Sequence, residues 1–258
     1  MWSGFQNENG TLIISSFGIM MFLAFLSCNI FMRKTLREKN ISADIADSII
    51  FWAALGGIIG AKIYYILEFG FTDLPQNPSV LDYIQNFGTG LVFYGGLIGG
   101  FISVSSYIYV KKLSWLDYAD IVAPLLALGH GIGRVGCFLV PDCMGVESSF
   151  NYFPLGVSFP FESEVYRYPT QLYEMFLYLI IFIYLYSHRH KVNFKGELFF
   201  EYLFLTGISR FLIEFLREHP LNDHGHSFLF MDLHGAQLIS LLMIILSTIL
   251  HYSFRQKY

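Results

Sequence analysis

Seven apolar stretches, each long enough to cross a lipid bilayer as a helix, constrain the fold of this 258-residue chain more than any other feature. A helix needs about 20 predominantly apolar residues to cross the hydrocarbon core of a bilayer. Hydrophobic residues make up 54% of the chain and charged residues only 14%, which is far from the balance of a soluble domain. We predict an all-α integral membrane protein with seven transmembrane helices in a single domain of residues 1–258. The predicted spans are residues 12–32, 46–67, 90–110, 118–139, 170–187, 198–216 and 232–252.

The distribution of basic residues predicts the orientation of these helices. Eleven of the 16 Lys and Arg residues lie after the first, third and fifth stretches or in the C-terminal tail. Only Arg167 and Arg217 fall on the opposite side, and three more lie within the stretches. The positive-inside rule therefore places the N-terminus outside and the C-terminus in the cytoplasm. The leader MWSGFQNENG carries no Lys or Arg, so we expect the first stretch to be an anchor rather than a cleaved signal peptide.

Polar side chains interrupt the apolar stretches at a common depth. Arg134 is the clearest case, because an arginine at membrane depth costs at least about 2.5–3.5 kcal/mol and is usually retained for function. On the predicted topology, six helices bring polar groups to one layer beneath the outer surface. The set comprises Lys62, Tyr94, Arg134, Gln171, Tyr173, Glu174, Arg210, Glu214 and Gln237. Their convergence predicts a functional polar cavity.

Each of these residues also has a structural interpretation when it is taken alone. Lys62 can extend its ammonium group to the outer headgroups. Arg210 and Glu214 are four residues apart and can form an ion pair on one helix face. Glu174 can hold a neighbouring helix. Only the convergence of two arginines, a lysine and two carboxylates favours a site.

The residue types in this layer favour a phosphate-containing ligand. Arginine binds phosphate with a planar, permanently charged group of donors. Two arginines at the outer headgroup level therefore indicate a phospholipid headgroup, with Tyr94 and Glu174 as the available proton-transfer groups. The chain has no HExxH, GxSxG, Walker or CxxC motif. We expect no metal, no cofactor and no nucleic-acid partner.

Glycines at helical spacing predict close packing between helices. The pairs Gly95/Gly99, Gly96/Gly100 and Gly56/Gly60 each have small-xxx-small spacing, and Gly129 and Gly133 repeat it. Packing is the favoured interpretation for most of them. Gly95 and Gly96, and the glycines around Arg134, can also allow a ligand to approach the backbone.

Seven motifs are spread in order along nearly the whole chain. They are GAKIYYILEF (60–69), GLVFYGGLIGG (90–100), GRVGCFLVPDCMG (133–145), PLGVSFP (154–160), YPTQLYE (168–174), RFLIEFLRE (210–218) and HGAQLIS (234–240). Together they resemble the motifs of one family, the bacterial phosphatidylglycerol–prolipoprotein diacylglyceryl transferases, and YPTQLYE with GRVGCF is the most specific combination.

The chain departs from this family's pattern at several positions. Tyr94 stands where the family often has a histidine, and Cys137 replaces an asparagine of the signature. Asp142 stands where a glutamate is frequent, and Thr206 where a tyrosine is often found. These changes indicate a divergent member and affect the expected mechanism more than the fold.

The resemblance implies the reaction and the roles of the residues. A diacylglyceryl group would pass from phosphatidylglycerol to the lipobox cysteine of a prolipoprotein in the bacterial cytoplasmic (inner) membrane, forming a thioether and releasing glycerol phosphate. The expected catalytic residues are Tyr94, Arg134, Glu174, Arg210 and Glu214. The expected substrate-binding residues are Lys62, Gly95, Gly96, Gly133, Cys137, Asp142, Gly145, Gln171, Tyr173 and Gln237.

The sequence leaves open which group activates the thiol. A tyrosine phenol is a poor base at neutral pH. The positive charge of the arginines, Glu174 or Glu214 must therefore contribute more to deprotonation of the thiol. His130 is a further candidate, for which packing is the favoured role. Cys137 and Cys143 could form a disulfide only if the chain turns sharply. A non-catalytic lipid- or lipoprotein-binding protein is the main alternative function, and a transporter lacks the expected internal repeat.

Overall fold

Seven helices account for most of the chain that the structure describes. The computed structural model describes residues 4–6, 12–69, 92–160, 162–218, 226–228 and 231–256. Most of the predicted external segment 68–89 lies outside these ranges. The helices are α1 (Ser16–Glu38), α2 (Asp44–Phe69), α3 (Phe93–Val110), α4 (Trp115–Leu139), α5 (Thr170–His188), α6 (Glu197–Glu214) and α7 (Gly235–Arg255). Each of the seven predicted stretches overlaps one of them.

Five of these helices are long and apolar enough to cross a membrane, namely α1, α2, α4, α5 and α7. Helix α3 is apolar but shorter, and its apolar helical stretch runs from Tyr94 to Val110. Helix α6 carries Glu197, Glu201, Arg210 and Glu214, which lower its hydropathy. The prediction of a helical membrane protein is confirmed at this level. Helices suit an apolar solvent because they satisfy their backbone hydrogen bonds internally.

Three short antiparallel strand pairs lie outside the helices in the described residues, and no pattern in the sequence predicted them. They are β1 (Gly4–Gln6) with β2 (Leu12–Ser15), β3 (Val157–Phe159) with β4 (Glu162–Arg167), and β5 (His226–Phe228) with β6 (Met231–Leu233). Strand β2 occupies the start of the first predicted span, so α1 begins at Ser16. A short apolar run has no periodicity that separates a strand from a helix.

The chain divides into two compact units, residues 32–115 and residues 1–31 with 116–258. In the first unit, α2 and α3 approach so closely that a Cβ on Gly60 would lie 2.4 Å from the carbonyl oxygen of Gly95. A Cβ on Gly99 would lie 2.3 Å from the carbonyl oxygen of Gly56. The predicted packing role of these glycines is confirmed, because no larger side chain fits between the two backbones.

The second unit has a core formed by α4, α5 and α6. Its fully or nearly buried members include Ala127 of α4, Tyr178 and Leu185 of α5, and Leu198 of α6. Helix α7 packs on α6 at Gly207, where an added Cβ would lie 3.0 Å from the carbonyl oxygen of Ser240. This unit holds a polar cluster of Arg134, Glu174, Arg210 and Glu214.

Candidate active site

Three helices each contribute to one buried cluster of charged side chains. Glu174 of α5 forms an ion pair with Nε of Arg134 on α4 through its Oε2. Its other oxygen, Oε1, accepts a hydrogen bond from Nη1 of Arg210 on α6 at 2.7 Å. Nη2 of Arg210 lies 2.7 Å from Oε2 of Glu214, one turn along the same helix. Glu174 therefore bridges the two arginines.

The cluster is buried and its formal charges balance. The exposed fraction of the side chain is 3% for Glu174, 4% for Glu214, 14% for Arg134 and 21% for Arg210. Buried ions are tolerated only when they are paired, and these four residues pair with one another. The predicted Arg210–Glu214 ion pair is present. The bridging position of Glu174 could not be predicted, because it depends on which helix faces meet.

Asp120 explains how Arg134 and Arg210 reach the same level. This buried carboxylate of α4 accepts hydrogen bonds from the backbone N–H of Gly196 at 2.7 Å and of Phe199 at 3.1 Å, at the start of α6. Helices α4 and α6 are therefore parallel neighbours that start at the same end of this helical unit. Arg134 lies 14 residues beyond Asp120 and Arg210 lies 14 beyond Gly196, roughly 21 Å in each case at 1.5 Å per residue.

The segment between α4 and α5 connects the ends of all three helices that carry the cluster. Gly145 donates its N–H to the carbonyl of Tyr168 at 3.0 Å, and Val146 donates to the carbonyl of Leu216 at 3.0 Å. A Cβ on Gly145 would lie 2.5 Å from the carbonyl oxygen of Tyr168 and 2.7 Å from that of Leu216. Gly145, predicted as a substrate-binding residue, is required here by close backbone packing.

Arg167 reinforces the same segment and was missed as a site residue. Its Nη1 donates to the carbonyl of Gly145 at 3.3 Å and pairs with Oε1 of Glu218 at 2.9 Å. The Arg167 side chain is only 8% exposed. A signal was present in the sequence, since Arg167 is one of only two basic residues on the predicted external side. Asp120 had a similar signal, as a charge within an apolar stretch.

Two of the predicted binding residues have contacts within this scaffold. Gln171 is fully buried, and its Nε2 donates to the backbone carbonyl of Asp142 at 2.7 Å. The Asp142 side chain is exposed. Thr170, next to Gln171, donates its hydroxyl to the carbonyl of Cys143 at 3.1 Å. These contacts fix the start of α5, and therefore Glu174, against the segment that follows α4.

Two other predicted binding residues also make internal contacts. The Tyr173 hydroxyl donates to the carbonyl of Pro154 at 2.5 Å. Gln237 is buried, and its Oε1 accepts a hydrogen bond from the backbone N–H of His234 at 3.0 Å, at the first turn of α7. Substrate binding by Tyr173 and Gln237 stays a prediction.

The remaining predicted site residues of the second unit lie around Arg134 on α4. Gly133 is adjacent to it, and a Cβ there would approach the Met21 sulfur only to 3.8 Å. Cys137 follows Arg134 by three residues and is a partly buried free thiol. The His130 ring stacks on Tyr178 with a centroid distance of 4.0 Å. This contact supports the packing role favoured for His130.

Four predicted site residues belong to the other unit, where Lys62 lies on α2 and Tyr94, Gly95 and Gly96 lie on α3. The Lys62 ammonium group lies 5.1 Å from the centroid of the Tyr65 ring. Tyr94 is half-exposed. Gly95 packs against α2, where an added Cβ would lie 2.4 Å from the Cβ of Tyr64. Their part in the site stays a prediction.

Together, the fold and the cluster define a helical membrane protein with a buried site of two arginines and two carboxylates. The family of prolipoprotein diacylglyceryl transferases matches residues 6–253. A phosphatidylglycerol–prolipoprotein diacylglyceryl transferase of Clostridium tetani is 34% identical over 241 residues, covering 91% of each chain. One from Staphylococcus aureus is 33% identical over 255 residues, covering 96% of this chain and 88% of its own. The chain belongs to this family.

Proposed function

We propose that the protein transfers the diacylglyceryl group of phosphatidylglycerol to a cysteine thiol of a prolipoprotein. Membership of the transferase family and the names of its relatives support this activity. The observation that carries the proposal is the buried carboxylate of Glu174 between the guanidinium groups of Arg134 and Arg210. These two arginines supply the donors for a phosphate.

The arginines can bind a phosphate while they keep their ion pairs with Glu174. Each guanidinium has five N–H donors, so the pair has more donors than its contacts with Glu174 and Glu214 use. The thiol sulfur forms a bond to a glycerol carbon, and the bond from that carbon to the phosphate oxygen breaks. Glycerol phosphate leaves with the electron pair of the broken bond, and its phosphate oxygen takes up the proton that the thiol loses. Arg134 and Arg210 stabilise the charge that develops on this leaving group.

We assign activation of the incoming thiol to the positive field of the two arginines, and positioning to Glu174. A nearby cation favours the thiolate over the thiol. Both oxygens of Glu174 contact guanidinium groups, so neither can accept a proton without weakening an ion pair. Glu214 holds Arg210 from its own helix. Tyr94 positions substrate in this proposal.

The finer topology is part of the same proposal. Seven spans in one domain follow from the apolar stretches, and an external N-terminus with a cytoplasmic C-terminus follows from the basic residues. The five long apolar helices support a multi-pass membrane protein, and the family supports the bacterial inner membrane. The cluster then opens toward the outer leaflet. A reporter fused after Lys112 should be cytoplasmic and one fused after Ser149 external. An external signal at Lys112 would contradict this topology.

The acceptor in the proposal is the lipobox cysteine of a prolipoprotein signal peptide, and the donor comes from membrane lipid. The relatives at 31–34% identity are named as transferases, so a non-catalytic lipid- or lipoprotein-binding function is not favoured.

Expression in a bacterial strain depleted of its own transferase tests the function. Growth and lipid-modified lipoproteins are expected with this chain. Failure of the membrane-inserted protein to label any lipoprotein would overturn the proposal and favour a binding protein.

A further inference from the structure

Two thiols meet where the chain leaves α4. The N–H of Asp142 bonds to the carbonyl of Cys137 at 2.9 Å, which turns the segment back on the helix end. Cys143 has a left-handed backbone with φ of 59°, which is unusual for a residue with a side chain. The turn brings the Cys143 sulfur close enough to interact with the Cys137 thiol. The sharp turn required for the two cysteines to meet is therefore present.

The surroundings of Cys143 favour a reactive thiolate. The interaction with the Cys137 thiol, with the positive charges of Arg217 and Arg134, lowers the pKa of Cys143 to about 7. A thiol with such a pKa is about half ionised at neutral pH, and the thiolate is the reactive form. Both cysteines are partly exposed. Cys28 differs from both, because it is buried and donates to the carbonyl of Leu125 at 3.2 Å.

We propose that Cys137 and Cys143 form an oxidisable dithiol, a modification site for small disulfide compounds. The Cys143 thiolate attacks one sulfur of the compound, and the sulfur–sulfur bond of the compound breaks to release a thiolate. The Cys137 thiol then loses its proton and attacks the Cys143 sulfur, which releases the second half of the compound. The protein dithiol is oxidised by two electrons, and the compound is reduced to two thiols that carry the two protons.

The position of the dithiol connects its oxidation to the candidate active site. Cys137 is three residues beyond Arg134 on α4. The carbonyl of Cys143 accepts the Thr170 hydroxyl at the start of α5, the helix that carries Glu174. A covalent bond is shorter than the thiol–thiol contact it replaces, so oxidation pulls the end of α4 toward this segment. Displacements near 1 Å in a catalytic site cost roughly 100-fold in rate, and we expect a reversible loss of transfer of at least tenfold. This effect rests on the proposed function.

The chemical part of the test is independent of transfer activity. The purified full-length protein in phosphatidylglycerol nanodiscs is incubated with oxidised glutathione, denatured and alkylated with N-ethylmaleimide. Wild-type protein should lose two of its three alkylation sites and yield a peptide linked between Cys137 and Cys143. Cys137→Ser should instead trap glutathione on Cys143. Cys28→Ser is the matched control and should form the disulfide like wild type.

Three results would overturn the proposal. The first is the absence of the linked peptide at saturating oxidised glutathione, and the second is oxidation of Cys28 as fast as Cys143. The third is complete disulfide formation with an unchanged transfer rate, which contradicts the effect on the site. If reduced protein shows no transfer at all, the proposed function fails while the mass measurement still decides the dithiol.

Discussion

Replacing Glu174 with glutamine should weaken the bridge between Arg134 and Arg210 with little change in the shape of the side chain. The amide oxygen can still accept a hydrogen bond from one guanidinium, but the amide N–H₂ group faces the other with like polarity. Two ion-pair contacts depend on Glu174, and its side chain is only 3% exposed, so water compensates little for their loss. Removing one partner of a buried ion pair costs about 3–5 kcal/mol.

We take the low end of that range for the transfer reaction, because glutamine keeps one of the two contacts. A loss of about 3 kcal/mol corresponds to a fall of roughly 100-fold in kcat/KM, since about 1.4 kcal/mol is a factor of ten. Glu174→Asp keeps the charge on a shorter side chain and should fall between glutamine and wild type.

The assay is the initial rate of transfer from phosphatidylglycerol in nanodiscs to a lipobox peptide, read as the mass increase of the peptide. The folded fraction is measured in parallel, because part of the cost appears as lower stability. Glu164→Gln is the matched control, since it makes the same change on an exposed carboxylate of β4. A folded Glu174→Gln protein with a rate within threefold of wild type would refute the bridge.

Three further predictions concern the scaffold and the altered residue of α3. Gly145→Ala should lower the thermal unfolding temperature in detergent, because its Cβ would lie 2.5 Å from a carbonyl oxygen. The control Gly235→Ala should leave that temperature unchanged, because its Cβ would meet nothing within 4 Å. Equal unfolding temperatures for the two variants would contradict this packing. Asp120→Ala should lower the free energy of unfolding by about 1–2 kcal/mol through loss of the α6 cap, and Asp117→Ala, in an exposed ion pair, by less than about 1 kcal/mol; the reverse order would refute the capping role. Tyr94→Phe should keep a measurable fraction of the transfer rate, and complete loss of activity would show that the phenol is essential.

The sequence predicted the helices well and the site only in part, for a physical reason. Hydropathy and spacing are local properties, so the seven helices and the Arg210–Glu214 pair could be found from the chain alone. The bridge from Glu174 to Arg134 depends on the rotation of α5 against α4, which no local pattern encodes. Arg167 and Asp120 were visible as misplaced charges, but their partners, the Glu218 side chain among them, are distant in sequence.

Phosphate binding by the two arginines is the central claim, and the transfer rate of two alanine variants tests it most directly. Initial rates are measured in phosphatidylglycerol nanodiscs with a lipobox peptide for wild type, Arg134→Ala and Arg210→Ala. We predict transfer by wild type and a fall of at least about 100-fold in each variant that remains folded, because a lost donor group of this kind costs about 2.7–4 kcal/mol. Near-normal rates in both folded variants would contradict the assignment of these arginines to the phosphate.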